Sequence, residues 1–212
     1  MIVLKFTKTS TSALAAHVDT LRAVTYLVRR ADIDVAYSQG FNPHMELGFS
    51  PPLPLGVESY AEYVSLKADM VDNVAERADK VCPKGMHVVR AWDVQINLAA
   101  RINRARYTVH ANGIGNVAQQ ILAPNYTISY LEKGEVVHKD VAARIFGASR
   151  VDDDTAEFTL AVGNENLRPD RLVLSLMAAN GLNGDYGIVK TNAYVDETDV
   201  DEYLDKLAAQ KQ

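Results

Sequence analysis

Apolar residues recur along this chain in two alternating rhythms, one of period two and one of spacings three and four, and each change of rhythm marks an element boundary. Residues 2–8, IVLKFTK, read as a strand. Residues 12–31 read as a helix with Ser10 or Ser12 as cap. Within it Leu14, Val18, Leu21, Thr25 and Val28 are spaced by threes and fours and predict one core-facing stripe. A turn-rich stretch follows, then a short strand near 45–50 and a corner rich in proline. Residues 61–67 alternate as a strand. Residues 70–82 read as a helix stopped by Pro83 and Gly85, and 86–94 as a closing strand. The order is β-α-β-β-α-β.

The order then nearly repeats. Residues 104–111 read as a strand, 115–123 as a helix, and 126–132 with 135–140 as a hairpin about Lys133-Gly134. Residues 141–147 read as a short helix, 155–163 as a strand, 168–181 as a helix with a glycine stop, and 187–195 as a last strand. The expectation is an α+β fold of two ferredoxin-like (β-α-β-β-α-β) halves with mostly antiparallel sheets. The halves span 1–95 and 104–195, and residues 196–212 add an acidic surface helix or tail.

Charge sharpens this division. The net charge is −5, and six acids against Lys206 and Lys211 put most of it in 196–212. The remainder is close to neutral, so a nucleic-acid site would have to be a local basic patch. No apolar run approaches the roughly 20 residues that span a bilayer. The start MIVLKFTKTS lacks a long apolar segment and cleavage site, so a cytoplasmic protein is expected, with no membrane partner. Cys82 is the one cysteine, which excludes an internal disulfide framework and a self-contained cysteine-ligated cluster or zinc ribbon. No cofactor and no metal are expected.

Several stretches could carry chemistry. His17 and Asp19 invite a metal reading, but helical residues two apart point about 200° apart. Asp19 is expected to pair with Arg22, and His17 to lie half-buried against a loop. Arg22, Tyr26, Arg29 and Arg30 form a helix face suited to phosphates and bases, with Asp32 and Asp34 as the counter-charges of a plain solvated face. In the segment 37–59, Pro43 forces Asn42 out of the helical region and Gly40 permits a left-handed backbone. Pro51, Pro52 and Pro54 cannot donate to a sheet ladder. The result is a rigid loop displaying Phe41 and His44. Ser38, Gln39, Asn42 and His44 cluster there beyond what a structural corner needs, which favours a binding surface.

The stretch NGIGNVA places Gly113, Gly115 and Ala118 at dinucleotide-fingerprint spacing, with Glu132 downstream. The preceding strand tells against that use. Arg104, Arg106, Thr108 and His110 alternate with apolar residues, whereas a first Rossmann strand is buried on both faces. Arg104, Arg106 and His110 instead form a second candidate nucleic-acid patch.

The run from Lys8 to Glu62 resembles the radical-SAM-linked protein family, a domain of unknown function found beside or fused to cobalamin-binding radical SAM proteins. The residues that carry the resemblance are AHVD at 16–19, Arg22 with Arg29-Arg30, AYSQGFNPH at 36–44 and PPLPLGVESYAEY at 51–63. The chain departs from the pattern at Ala16, where the family has serine, and at Met45 and Glu46, where it tends to proline and a base. The resemblance implies a non-catalytic accessory or substrate-recognition protein for a radical SAM partner. With Tyr26 added from the helix face, it gives the binding residues as Asp19, Arg22, Tyr26, Arg29, Arg30, Tyr37, Ser38, Gly40, Phe41, Asn42, Pro43, His44, Pro52, Gly56, Ser59 and Glu62. RNA as a further partner rests on the arginine faces and on fold analogy. The alternative is a metal-independent RNA-binding or RNA-cleaving protein in which His17 and His44 meet, with Ser38 or Tyr37 nearby.

Overall fold

A computed structural model describes residues 1–210. The fold is mixed α+β, with a mostly antiparallel sheet and five α-helices among the described residues. The chain forms two compact units: residues 1–102 joined by the returning segment from Ala193, and residues 103–192.

The first unit contains β1 (Ile2–Lys8), α1 (His17–Arg30), β2 (Leu47–Phe49), β3 (Glu58–Leu66), α2 (Val74–Asp79) and β4 (Met86–Asp93). Its strands lie in the order β4-β1-β3-β2, and each neighbouring pair is antiparallel. One sheet face contributes Ile2, Leu4, Phe6, Val64, Leu66, Met86 and Val88 to a core closed by Val24, Leu27 and Val28 of α1. The stripe expected on the first helix is therefore out of phase. Leu14 is 68% and Val18 54% exposed, while Thr20, Val24, Leu27 and Val28 face inward. The cause is a break: Ser10–Leu14 is a 3-10 turn, and Ala15 and Ala16 are extended before α1 begins. A stripe counted from Leu14 assumes a continuous helix that does not exist, and on α1 itself two staggered rows satisfy the same spacing.

The opposite sheet face is covered as well. After β10 (Tyr186–Val195) and β11 (Thr198–Asp199), helix α5 (Val200–Ala209) packs on it with Val200 and Leu204 fully buried. The Asp199 carboxylate caps α5 by accepting from the Asp201 amide. Asp201 accepts from Lys5 Nζ at 2.6 Å and from the Tyr63 hydroxyl at 2.6 Å. One turn later Asp205 accepts from Trp92 Nε1 at 2.8 Å and pairs with Arg90. Lys5 opposes both Tyr63 and Arg90, so the cations and aromatics stand in adjacent rows. Burial, reinforced by the Asp201 hydrogen bond, pushes the Tyr63 phenol far above its ordinary range. With helices on both faces, β3 is buried along almost its whole length instead of alternating.

The second unit contains β5 (Arg104–Ala111), α3 (Ile114–Val117), β6 (Thr127–Glu132), β7 (Glu135–Asp140), β8 (Ile145–Arg150), β9 (Thr155–Ala161), α4 (Pro169–Ala179) and most of β10. Its strand order is β10-β5-β9-β8, and β6-β7 is a separate hairpin. The hairpin is tied to α4, where Ser175 Oγ accepts from the Ser129 amide at 2.9 Å. Residues 141–147 are not a helix. A 3-10 turn, Ala142–Arg144, leads straight into β8, which pairs with β9. Long-range pairing overrides the helix propensity of Ala142, Ala143 and Arg144. The helix expected at 115–123 is likewise reduced to α3 and a 3-10 turn at Ala118–Leu122.

Candidate functional site

The residues singled out between His17 and Glu62 fall into three groups. The first is a pinned loop. The Glu46 amide donates to the Ala36 carbonyl at 2.9 Å, and Tyr37 bridges to Met45. The Ser38 amide donates to the His44 carbonyl at 2.8 Å, and the His44 amide donates to Ser38 Oγ at 3.1 Å. Ser38 Oγ also lies 2.9 Å from His44 Nδ1. These contacts close the neck of a loop whose tip is Gly40, Phe41, Asn42 and Pro43. Gly40 has φ of 135°, which a side chain would strain. Phe41 is fully exposed at the tip, an apolar ring held in water by a closed neck.

The second group is the proline corner. The Gly56 amide donates to the Ala13 carbonyl at 2.9 Å, and the Ser10 amide donates to Glu58 Oε1 at 2.7 Å. These bonds stitch the corner to the 3-10 turn: Leu55, 65% exposed, precedes the bonded Gly56, and Leu14, 68% exposed, follows the bonded Ala13. Val18, beyond the extended Ala15 and Ala16, is exposed in the first turn of α1. His17 meets Phe49 of β2 edge-on, with ring centroids 6.3 Å apart. Pro52 and Gly56 are exposed on the same corner.

Ser59 and Glu62 point the other way. Both are buried, and Ser59 Oγ donates to Glu62 Oε1 at 2.7 Å while Ser50 Oγ donates to Oε2 at 3.3 Å. Ser50 Oγ in turn accepts from the Tyr63 amide at 3.1 Å. Lys8, which the sequence reading passed over as a site residue, belongs here. It is buried and donates to the Ala15 carbonyl at 2.8 Å, at the break before α1. Burial lowers the Lys8 pKa, and the Glu62 charge opposes that shift. Lys8, Ser50, Ser59 and Glu62 are thus the frame under the corner. The one signal for Lys8 was a base closing a strand that is otherwise mostly apolar.

The third group is the outer face of α1. Asp19 and Arg22 form an exposed pair at 3.6 Å. Tyr26 is 60% exposed, and Arg29 and Arg30 are exposed beyond it. His17 and His44 are not hydrogen-bonded to each other: one rests on Phe49, the other on Ser38. Burial pushes the Cys82 thiol up to about 11, which makes it a poor nucleophile at neutral pH.

In the second unit Arg104, Arg106 and His110 lie on one sheet face, as the alternation predicts, and each is engaged. Arg104 stacks 3.9 Å from the Phe146 ring centroid, and His110 Nδ1 lies 3.1 Å from Thr155 Oγ1. Arg106 lines a shallow depression with Glu157 and Thr159. The glycine fingerprint is structural. The Gly113 amide donates to Asp154 Oδ1 at 2.7 Å and the Gly115 amide to the Asp153 carbonyl at 2.9 Å, which occupies the donors a phosphate would need. A Cβ on Gly115 would stand 1.8 Å from the Asp152 carbonyl oxygen. Gly115→Ala is therefore expected to destabilise the second unit by about 1–3 kcal/mol, as overpacking against backbone does. Urea denaturation followed by circular dichroism measures it.

The family model for uncharacterised proteins conserved in bacteria, DUF2344, matches residues 1–169. The chain belongs to the DUF2344 family. The matched span holds the pinned loop, the proline corner, α1 and the buried frame, while α5 lies beyond it. None of the curated proteins matches the chain. Among the described residues, no helix is long and apolar enough to cross a membrane.

Proposed function

We propose that this DUF2344 protein is a non-catalytic, cytoplasmic accessory protein whose exposed signature surface docks a protein partner. The resemblance of the same residues to the radical-SAM-linked family points to a radical SAM enzyme as that partner. The strand order β4-β1-β3-β2 with antiparallel neighbours supports reading the first unit as ferredoxin-like, and β10-β5-β9-β8 supports the same reading of the second, with the hairpin as an insertion.

One observation carries the proposal. The corner exposes Leu55, the 3-10 turn bonded to it exposes Leu14, the start of α1 exposes Val18, and the loop running into β2 exposes Phe41 at its tip. Exposed apolar groups of this size, carried by neighbouring segments of a rigid, hydrogen-bonded frame, favour a surface covered by protein. The RNA-cleaving alternative needs two imidazoles converging on one scissile bond, and the separate seats of His17 and His44 give it no support.

The test is co-purification of the tagged chain from its own cells after RNase treatment, beside Phe41→Ala and a Leu14→Ser, Leu55→Ser double variant. A radical SAM protein should stay with the parent chain. Truncating central anchors costs ~2 kcal/mol or more each, so the double variant should lose it. Capture that is unchanged by all three substitutions would reject this surface as the dock.

A further inference from the structure

We propose that the C-terminal half of α1 is a binding site for single-stranded nucleic acid, with Tyr26 as the base-stacking platform and Arg29 and Arg30 as phosphate contacts. The site lies apart from Leu14 and Leu55, so it stands or falls independently of the partner-docking reading.

Arginines in the last turn of a helix ordinarily serve its C-terminal carbonyls. Here another residue does that work. Arg77 of α2 donates from Nη2 to the Ala31 carbonyl at 2.7 Å and to the Asp32 carbonyl at 2.6 Å. Arg77 also takes the Asp32 carboxylate, at 3.7 Å, which was the expected counter-charge of the arginine face. Asp34, the other expected counter-charge, lines a separate depression with Met1 and Lys67. The acids of α2 are committed too: Glu76 to Lys80 at 2.7 Å and Asp79 to His87 at 3.1 Å. Among the described residues no carboxylate lies within ion-pair distance of Arg29 or Arg30. Two fixed cations stand together with their structural duties already filled.

Beside them is a groove of about 360 Å³ lined by Ala23, Tyr26, Leu27, Arg30, Val81 and Pro83. Its lining is apolar apart from the Tyr26 hydroxyl and the Arg30 guanidinium. An apolar slot edged by an exposed phenol ring accepts the flat face of a base, and adjacent guanidinium groups meet the charge of the strand that carries it. Sequence readout needs polar groups aimed at base edges, and the slot has few, so the site binds strands with little base preference.

The experiment titrates the full chain into a fluorescein-labelled oligouridine of about twelve nucleotides, long enough to cross the helix face. Anisotropy is read over a series of KCl concentrations. The parent chain should bind and weaken with salt. Tyr26→Ala should bind about tenfold more weakly, the loss of one stacked base. Arg29→Gln with Arg30→Gln should flatten the logarithmic salt slope by about 1.4, two single-strand phosphates. All three positions are exposed, and unchanged emission from Trp92, the one tryptophan, certifies the fold of each variant. Absence of binding by the parent chain overturns the site. So does Tyr26→Ala binding as tightly as the parent while polyphosphate competes equally well, because that is attraction to any polyanion.

Discussion

Replacing Leu204 with alanine is expected to lower the free energy of unfolding by about 2–5 kcal/mol, the range for emptying a well-packed leucine site. Leu204 is fully buried between α5 and the sheet of the first unit, so the cavity has little freedom to collapse. A loss of this size is a large share of a typical stability of about 5–15 kcal/mol. Asp201→Ala attacks the same seat through its polar contacts. It leaves the Lys5 ammonium and the buried Tyr63 hydroxyl without their shared acceptor, at a cost of about 1–3 kcal/mol. Trp92 donates to Asp205 on the same helix, so its emission should report release of α5 in both variants. The Tyr63 phenol adds a pH signature. Its folded pKa is raised, so its contribution to stability is whole below the ordinary value of 10.0 and declines as the pH climbs beyond it. Tyr63→Phe should remove that part of the alkaline decline.

Glu62→Ala is expected to cost about 3–5 kcal/mol, the penalty for removing one charge from a buried compensated group. Ser59 Oγ and Ser50 Oγ would both lose their acceptor. The buried Lys8 ammonium would lose the negative charge that opposes its desolvation. Glu62→Gln keeps one of the two oxygen acceptors and loses the charge, so it should fall between the parent and Glu62→Ala in a urea midpoint series. The damage should also spread to the surface above, because Lys8 holds the Ala15 carbonyl where the chain turns into α1. Loss of partner capture by Glu62→Ala at a temperature where the chain remains folded is the expected second consequence.

The order of elements in the first unit is written in local signals. A change from period two to spacings of three and four marks α1, whereas the helix expected at 70–82 is only Val74–Asp79 and stops four residues before Pro83. The phase of α1 is not written there, because Ala15 and Ala16 interrupt the helix with residues that would equally well continue it. The strand at Ile145–Arg150 was hidden for a related reason: its partner, β9, comes later in the chain and supplies the pairing that the local sequence does not announce. The seat of α5 could not be read at all. Asp201 meets Lys5 across 196 positions, and an acidic amphipathic helix looks the same whether it is solvated or docked.

The site divides along the same line. Gly40, Pro43 and the prolines of the corner have conformational meanings that survive without context, so the rigid loop was legible. The direction of Ser59 and Glu62 was not, because it depends on β3 being covered on both faces. The apolar surface at Leu14 and Val18 was concealed by the phase error, which assigned both residues to the core.

The central claim is that the corner, the 3-10 turn and the pinned loop form one protein-docking surface. Hydrogen–deuterium exchange of the purified chain, alone and with the proposed radical SAM partner, tests it most directly. Added protection confined to residues 10–22 and 36–56 is the result this account predicts. Protection confined to the second unit, with 10–22 and 36–56 exchanging as in the free chain, would contradict it.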